Sequence, residues 1–186
     1  MDALFYGLVA SLLAWNPSSA LADTAAYEFR PSSAGDWFVV NDGVMGGLSS
    51  SELVDSGEGH AVFRGTLSLE NNGGFASVRG LVPAGAMAGY GGVSLRVRGD
   101  GRTYQLRLRT DRRFDGVAYR AEFETRAGEW QTVVLPFSEF EATFRGRKPR
   151  GAPPLDPAAI GQIGLLIGDK VEGPFELSVE WIRATS

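Results

Sequence analysis

Cysteine is absent from this sequence of 186 residues, and histidine occurs once, as His60. The lack of cysteine excludes disulfide bonds, thiol catalysis, iron–sulfur clusters and zinc sites built on cysteine. A single histidine excludes three-histidine metal sites, and its polar surroundings (GEGHAVF) indicate a surface residue. The chain also lacks the G-x-S-x-G nucleophile motif, and its 22 acidic residues single out no catalytic pair. We therefore predict a protein without catalytic residues, metal ligands or cofactors.

Basic residues are outnumbered, with 18 Lys and Arg against 22 Asp and Glu and a net charge of −4. Nucleic-acid-binding domains usually present a basic surface, so we predict no nucleic-acid partner. Positive charge is concentrated only locally, in the run Arg145–Arg150 (RGRKPR). Exposed loops often carry such charge without a function. The alternative is that the run steers a partner or a membrane headgroup, which makes Arg145, Arg147 and Lys148 candidate contact residues.

Long hydrophobic runs are missing apart from Leu4–Trp15 near the N-terminus, which is shorter than the about 20 residues of a membrane-spanning helix. Ala20–Ala22 resembles the cleavage site of an export signal. No basic residue precedes Arg30, so the Arg-rich pattern of a mitochondrial targeting peptide is missing. We predict that residues 1–26 are a signal-like or anchoring hydrophobic segment of an exported protein, periplasmic or membrane-tethered. The alternatives are a hydrophobic helix packed on the domain and a cytoplasmic, membrane-associated protein.

Apolar and polar residues alternate with a period of two from residue 27 onward, which is typical of strands with one buried face. The pattern is clearest in Gly92–Gly99, Thr103–Thr110, Val117–Glu124 and Phe175–Trp181. Weaker candidates are Trp37–Val40, Ala61–Leu69, Phe75–Arg79, Trp130–Leu135 and Gln162–Ile167. Eight to ten short strands at these spacings predict an all-β jelly-roll sandwich of two antiparallel sheets, a single domain over residues 27–186.

Turn-forming residues separate the predicted strands. Asp100-Gly101 and Asn72-Gly73 have the composition of hairpin turns, and we expect Asp100-Gly101 to join two of the clearest strands directly. The proline-rich stretch Pro149–Pro157 cannot join a ladder and predicts a surface loop.

A glycine-rich segment, Asn41–Ser50 (NDGVMGGLSS), is the densest motif outside the predicted strands. It lacks the Lys-Ser/Thr of a phosphate-binding P-loop and does not match a calcium-binding EF-hand loop. One interpretation is an elaborate turn in which Asp42 accepts hydrogen bonds from nearby backbone N–H groups. The other is a binding loop whose glycines allow a partner to approach the main chain.

Five arginines occupy predicted solvent-side positions of neighbouring strands: Arg96, Arg98, Arg107, Arg109 and Arg120. Cross-strand ion pairs with Glu122 and Glu124 would make this an ordinary solvated sheet face, because each such pair contributes only about 0.2–1 kcal/mol. The alternative is a positively charged platform for an acidic partner or a sugar. Both interpretations remain open at this point.

Six blocks, in order along residues 30–183, resemble the complex I intermediate-associated protein 30 family. They are WFVVNDGVMGGLSSSEL, FRGTLSLENNGGFASVRG, GDGRTYQLRLRT, YRAEFET, GEWQTVVLPFSEF and IGLLIGDKVEGPFELSVEWI. The resemblance implies a galactose-binding-like β-sandwich and a non-enzymatic role in assembly. The family's mitochondrial members help to build the membrane arm of respiratory NADH:ubiquinone oxidoreductase.

The resemblance also implies a set of motif positions, none of them catalytic. They are Asp42, Met45, Gly46, Gly47, Ser49, Asn72, Gly73, Gly74, Phe75, Gly99, Asp100, Gly101, Arg102 and Tyr104. We predict a binding or chaperone-like module that holds a protein partner during assembly of a membrane-associated respiratory complex. The partner would contact the loops around Asp42–Ser50 and Asn72–Phe75, with Arg107, Arg109 and Arg120 assisting. Carbohydrate binding is the alternative function, with a glycan as ligand, and the N-terminal segment predicts membrane association.

Overall fold

The computed structural model describes residues 27–186, so the prediction for residues 1–26 lies outside the described part of the chain. Twelve strands occur within it. They are β1 Glu28–Phe29, β2 Phe38–Val39, β3 Ser50–Asp55, β4 Ala61–Leu67, β5 Ala76–Leu81, β6 Gly92–Arg98, β7 Thr103–Arg109, β8 Ala118–Glu124, β9 Trp130–Pro136, β10 Glu141–Thr143, β11 Gln162–Ile167 and β12 Gly173–Thr185. Short 3-10 helices cover Pro31–Asp36, Asp42–Met45, Glu70–Asn72, Phe137–Glu139 and Pro157–Ala159.

The strands form two antiparallel sheets. The first sheet has the order β3-β4-β12-β6-β9, with β1 also paired to β12, and the second has the order β10-β8-β7-β11-β5-β2. This arrangement confirms the predicted all-β sandwich. All nine predicted strands are present. The three further strands, β1, β3 and β10, were not revealed by the alternation pattern, and they bring the total above the expected eight to ten.

The core lies between the facing sides of the two sheets. Leu95 and Val97 of the first sheet and Leu106, Leu108 and Ile163 of the second are at most 1% exposed. Full burial of an aliphatic or aromatic side chain of this size contributes about 1.5–3 kcal/mol. The alternating residues of the same strands therefore point outward, and those that loops do not cover are available for recognition, together with the loops; Arg109 and Gln162, for example, are covered.

Asp100-Gly101 does not form the predicted hairpin. β6, which precedes it, pairs with β12 and β9, whereas β7, which follows it, pairs with β8 and β11. The turn therefore carries the chain from one sheet to the other. The stretch around Asn72-Gly73 likewise connects β4 of the first sheet to β5 of the second, with positive φ at Asn71 and Asn72.

The predicted row of five arginines is divided between the two sheets. Arg96 and Arg98 lie on the outer face of the first sheet, and the other three lie on the outer face of the second. Arg109 is not at the solvent side as expected: it is only 7% exposed. Its guanidinium donates to the carbonyl of Gly116, because the loop after β7 folds back over it. The platform predicted from alternation is therefore smaller and more enclosed.

Trp37 is packed on the sandwich. Its ring meets the ring of Phe29 edge-on at a centroid distance of 5.2 Å and covers Gly80, where an added Cβ would lie 2.5 Å from the indole. We expect Gly80→Ala to lower the free energy of unfolding by about 1–3 kcal/mol through overpacking. Urea denaturation measures this, with Gly35→Ala as control because a Cβ there meets nothing within 4 Å. Equal stability of the two variants would contradict the packing.

Candidate partner-binding surfaces

Asp42 joins the two glycine-rich loops. Its carboxylate is fully buried and accepts hydrogen bonds from Ser49 Oγ at 2.6 Å and Ser49 N at 3.0 Å. It also accepts from the backbone N–H groups of Gly74 at 2.7 Å and Phe75 at 3.3 Å. One carboxylate therefore fixes the segment after β2 against the segment before β5, across a separation of 32 residues to Gly74.

Two of the motif glycines are required by the proximity of this carboxylate. A Cβ added to Gly47 would lie 2.3 Å from Asp42 Cγ, and one added to Gly73 would lie 2.7 Å from Asp42 Oδ2. No side chain larger than hydrogen fits at either position without moving the aspartate. The Asp-x-x-Met-Gly-Gly-x-Ser block and the Asn-Gly-Gly-Phe block are thus two halves of one structural unit, which we call the Asp42 knot.

The protonation of Asp42 depends on these contacts. Burial alone would raise the pKa of its carboxyl group, because burial disfavours the charged form. The hydrogen bonds from Ser49, Gly74 and Phe75 outweigh burial, and the pKa lies below its ordinary value. The knot is therefore held by an ionised carboxylate at neutral pH.

Apolar side chains project from the same loops. Val44 and Met45 are 63% and 57% exposed, Leu48 is 58% exposed, and Leu69 is 42% exposed. The two loops touch where the backbone N–H of Ser68 donates to Ser49 Oγ at 3.0 Å. Leu48 precedes Ser49 in the sequence, and Leu69 follows Ser68. We call Val44, Met45, Leu48 and Leu69 the apolar loop surface. Exposed apolar side chains on a rigid loop are a typical feature of protein-binding sites.

The loop residues predicted as contacts therefore divide into two groups. Asp42 is buried, and Gly47, Ser49, Gly73, Gly74 and Phe75 are half-buried residues of the knot or its immediate surroundings. Met45, Gly46 and Asn72 are exposed. Sequence reasoning missed Val44, Leu48 and Leu69, because an apolar residue in a glycine-rich segment gives no sign of whether it is packed or exposed.

A second candidate surface lies on the outer face of the second sheet. The strand register places four residues in one row: Arg79 on β5, Gly164 on β11, Arg107 on β7 and Arg120 on β8. Arg109 lies two residues further along β7 than Arg107, on the same face of the sheet. Gly164 supplies no side chain and is itself buried, because the Arg79 side chain lies over it: a Cβ added to Gly164 would be 3.3 Å from Arg79 Cγ. We call Arg79, Arg107, Arg109 and Arg120 the arginine cleft; sequence reasoning missed Arg79.

Three arginines of the cleft have neutral partners. Arg79 donates to the carbonyl of Phe114 at 2.8 Å, Arg107 donates to Gln105 Oε1 at 3.2 Å, and Arg109 donates to the carbonyl of Gly116 at 2.9 Å. None of these three forms an ion pair with an acidic residue in the described part of the chain. Arg120 pairs loosely with Glu122, at 3.6 Å.

The positive charges in the cleft act on one another. Burial, followed by the charges of Arg109, Arg120 and Arg79, lowers the pKa of Arg107 to about 10. Burial and the charge of Arg109 likewise lower the pKa of Arg79 to about 10, although Asp115 acts in the opposite direction. With pKa values of about 10, Arg79 and Arg107 are still charged at neutral pH, so the cleft is a region of positive potential on an acidic protein.

The basic run forms an exposed turn closed by hydrogen bonds between the backbones of Phe144 and Arg147. Arg145 pairs with Asp115 at 2.7 Å and thereby ties this turn to the loop over the arginine cleft. Arg147 and Lys148 are exposed. Of the predicted basic contacts, these two are the most accessible.

The remaining family motif positions form a separate structural network. Arg102 binds Asp169 through two hydrogen bonds of 2.7 and 2.9 Å, and the Tyr104 hydroxyl donates to Asp100. A Cβ on Gly99 would lie 2.3 Å from Thr125 Oγ1. Within residues 27–186 no group of three or more His, Asp or Glu side chains is arranged to hold a metal ion.

The three tryptophans within residues 27–186 are not arranged as a ligand platform on the second sheet. Trp130 and Trp181 are half-buried on the first sheet, where guanidinium groups cover them. Arg98 lies 5.1 Å from the Trp130 ring centroid, and Arg183 lies 4.5 Å from the Trp181 ring centroid. These rings are engaged in cation–π contacts, which leaves less of their faces for stacking on a sugar.

The two antiparallel sheets place the chain in the class of jelly-roll β-sandwiches. Solved structures of similar fold include a family 11 carbohydrate-binding module from Clostridium thermocellum in complex with a mixed-linked tetrasaccharide. Its TM-score is 0.62 at 17% identity, covering 87% of this chain and 98% of that one. An agarase, AgWH50C, gives 0.52 at 14% identity, covering 81% and 22%. At such identities the likeness establishes the fold alone.

The chain belongs to the complex I intermediate-associated protein 30 (CIA30) family, whose profile matches residues 27–179. A mitochondrial complex I intermediate-associated protein 30 from Mus musculus is 32% identical, with 78% of this chain and 51% of that protein covered. A probable counterpart from Caenorhabditis elegans is 29% identical, covering 73% and 46%. An uncharacterized Schizosaccharomyces pombe protein is 31% identical, covering 80% and 77%. The resemblance is thus confirmed, and the chain spans about half the length of the first two relatives.

The prediction of an exported protein is wrong. The relatives from mouse, C. elegans and Neurospora crassa are named as mitochondrial proteins. That prediction depended on an apolar run and three small residues, without the basic residues that normally precede the apolar core of an export signal. The cytoplasmic alternative also fits these relatives less well. Among residues 27–186, no helix has the length and hydrophobicity needed to cross a bilayer.

Proposed function

We propose that the chain is a non-enzymatic assembly module that binds a protein partner during construction of respiratory complex I, the NADH:ubiquinone oxidoreductase. Family membership supports the assembly role. The observation that carries the binding mode is the exposure of Val44, Met45 and Leu48 on loops that Asp42 holds rigid. A rigid apolar loop binds with less loss of conformational entropy than a flexible one.

The proposed contact consists of the apolar loop surface at its centre, with Asn72 beside it. Arg147 and Lys148 would act at a distance, by steering a partner electrostatically. The half-buried motif residues Gly47, Ser49, Gly73 and Gly74 would contribute indirectly, by fixing the loops. We further propose that residues 27–186 act as one domain and that residues 1–26 are a separate segment.

Carbohydrate binding has weaker support. The fold is shared with carbohydrate-binding modules, but the cation–π contacts of Trp130 and Trp181 cover ring faces that a sugar would need. A groove of about 640 Å³ at the edge of the first sheet is lined mainly by polar and charged residues, among them Glu52 and Arg64, which pair with each other. Its aromatic residue, Phe175, is only 3% exposed.

The test is co-migration with complex I sub-complexes on native gels, using the tagged full chain expressed in its own host. Met45→Glu/Leu48→Glu should reduce co-migration about tenfold or more, because burying two unpaired carboxylates in an apolar interface is strongly unfavourable. Both residues are exposed in the free protein, so its melting temperature should stay nearly unchanged.

The matched control is Val134→Glu, which adds a carboxylate at an equally exposed residue on the first sheet, 57% exposed. This variant should co-migrate like the original chain. Normal co-migration of Met45→Glu/Leu48→Glu, or equal loss in the control, would contradict the proposed contact. Absence of complex I subunits from the original chain's band would contradict the assembly role itself.

A further inference from the structure

Resting on the proposed function, we infer that the arginine cleft is a second docking site, which receives an acidic segment of the protein partner. The cleft differs chemically from the apolar loop surface, because positively charged side chains line it. Its three inner guanidinium groups, on Arg79, Arg107 and Arg109, bind neutral oxygens of their own chain. Arg109 is enclosed by the loop after β7, but an incoming carboxylate offers the half-buried Arg79 and Arg107 a stronger, charge-assisted hydrogen bond than an amide or carbonyl oxygen does.

The acidic groups around the cleft neutralise it only in part: the charges of Asp111 and Asp115 act on Arg109, and that of Glu122 acts on Arg107. Asp111 and Asp115 lie on the loop above Arg109, but each is held by another arginine, Arg113 at 2.8 Å and Arg145 at 2.7 Å respectively. Glu122 lies at the edge of the row, 3.6 Å from Arg120. The four arginines of the cleft thus exceed the nearby acidic groups, two of which also bind other arginines, and an acidic ligand would neutralise the remainder.

The spacing of the strands that carry the arginines favours an extended acidic chain over a single anion. Arg120, Arg107 and Arg79 are spread over four adjacent strands, β8, β7, β11 and β5, so their backbones span about 14 Å at a strand separation of about 4.8 Å. An extended peptide rises about 3.3 Å per residue and covers this distance with about five residues. Such a peptide can place a carboxylate over each of these strands, whereas a phosphate or a single carboxylate is one centre of charge.

The surroundings of the cleft favour a peptide over nucleic acid. Nucleic-acid-binding domains generally have a strongly basic surface, whereas this chain has a net charge of −4. Arg79 and Arg107 are half-buried rather than fully exposed, and the ring of Phe114, 60% exposed, lies beside Arg79. A peptide of acidic residues with a few apolar side chains matches both features.

The experiment is calorimetric titration of the full chain at low salt with a glutamate-rich peptide of about eight residues, long enough to cover the cleft. The same peptide with glutamine in place of glutamate is the ligand control. We expect binding of the glutamate peptide, at least tenfold weaker binding of the glutamine peptide, and weakening as salt is raised. No detectable binding of the glutamate peptide at low salt would overturn the inference.

The variant is Arg79→Gln/Arg107→Gln, which should weaken glutamate-peptide binding at least tenfold. Its melting temperature should be equal or higher, because two mutually repelling buried charges are removed. The matched control, Arg64→Gln/Arg126→Gln, makes the same change in net charge at two exposed arginines. An equal loss of affinity in both variants would overturn the inference, because binding would then follow net charge alone.

Titrations with other anionic ligands test whether the cleft prefers a source of negative charge other than a protein segment. Inorganic phosphate, an oligogalacturonate and a single-stranded oligonucleotide are titrated under the same conditions. Tighter binding of any one of them than of the glutamate peptide would overturn the choice of a protein segment as occupant.

Failure here is distinguishable from failure of the proposed function. Met45→Glu/Leu48→Glu should bind the glutamate peptide as the original chain does. If the peptide does not bind while co-migration still depends on Met45 and Leu48, the arginine cleft fails and the assembly role stands. If the peptide binds and co-migration is absent, the assembly role fails while the cleft retains its ligand chemistry.

Discussion

Replacing Asp42 by alanine is expected to lower the free energy of unfolding by about 4 kcal/mol, because the buried carboxylate accepts four hydrogen bonds. Hydrogen bonds to a charged group contribute about 1.5–3 kcal/mol each, and donors left unpaired in a buried position are costly. Ser49, Gly74 and Phe75 would all lose their acceptor. Because the loss exceeds that of a typical surface substitution several-fold, it should be evident in urea denaturation.

Two further variants test whether the loss of stability is specific to the buried carboxylate of Asp42. Asp42→Asn keeps the shape of the side chain but turns an amide towards N–H donors, so we expect a loss nearly as large as that of alanine. Asp36→Asn removes an exposed carboxylate six residues away and should change stability by less than about 0.5 kcal/mol. A similar effect at Asp36 and Asp42 would show that the knot does not depend on the buried carboxylate.

The stability gained from Asp42 should depend on pH in a defined direction. Because its pKa is lower in the folded chain than the ordinary value of 3.8, the stabilisation is complete above about pH 4 and is lost as the pH falls through the folded value. The difference in free energy of unfolding between the original chain and Asp42→Asn should therefore be largest near neutral pH and narrow in acid. A difference that stays constant down to pH 2 would contradict this linkage.

The sequence predicted strands well because their signal is local. Alternation in Val93, Leu95 and Val97 assigns each residue to a face without any knowledge of its neighbours. Alternation does not say which strand lies alongside, and for this reason Arg96 and Arg107 were placed on one sheet although they belong to two. Strand order depends on pairings distant in the sequence, such as β12 with β6.

The candidate site was only partly predictable for a related reason. Asp42 was expected to cap its own loop, and Ser49 does bind it, but Gly74 and Phe75 belong to another loop. The family resemblance pointed to both loops without explaining their connection. Arg79 ended a weakly patterned strand, and nothing in the sequence shows that Gly164 separates it from Arg107.

Breaking the buried ion pair between Arg102 and Asp169 should produce an effect nearly as large as that at Asp42. Both side chains are 12% exposed, and Arg102 also donates to the carbonyls of Pro174 and Val171. It thereby fixes the start of β7 to the segment before β12. Asp169→Asn removes the bound counter-charge of this largely buried guanidinium and leaves only the charge of Asp100 acting on it, so we expect a loss near the lower end of the about 3–5 kcal/mol that breaking a buried pair costs.

Hydrogen bonding to Asp169 raises the pKa of Arg102. Burial alone would raise the pKa of Asp169, but its contacts with Arg102 and the backbone N–H of Val171 lower it. Its contribution to stability should therefore also be lost in acid, as the pH falls through the folded pKa.

A double-mutant cycle of Arg102→Met and Asp169→Asn isolates the pair from other contacts of the two residues. We expect a coupling energy of about 2 kcal/mol, because the bidentate geometry and the burial strengthen the interaction. The same cycle on Arg126 and Glu129, which lie 3.7 Å apart and are 78% and 64% exposed, should give less than about 0.5 kcal/mol. Equal coupling in the two cycles would mean that burial adds nothing, and that the family's Gly-Asp-Gly-Arg motif stabilises the sandwich through its turn rather than through its arginine.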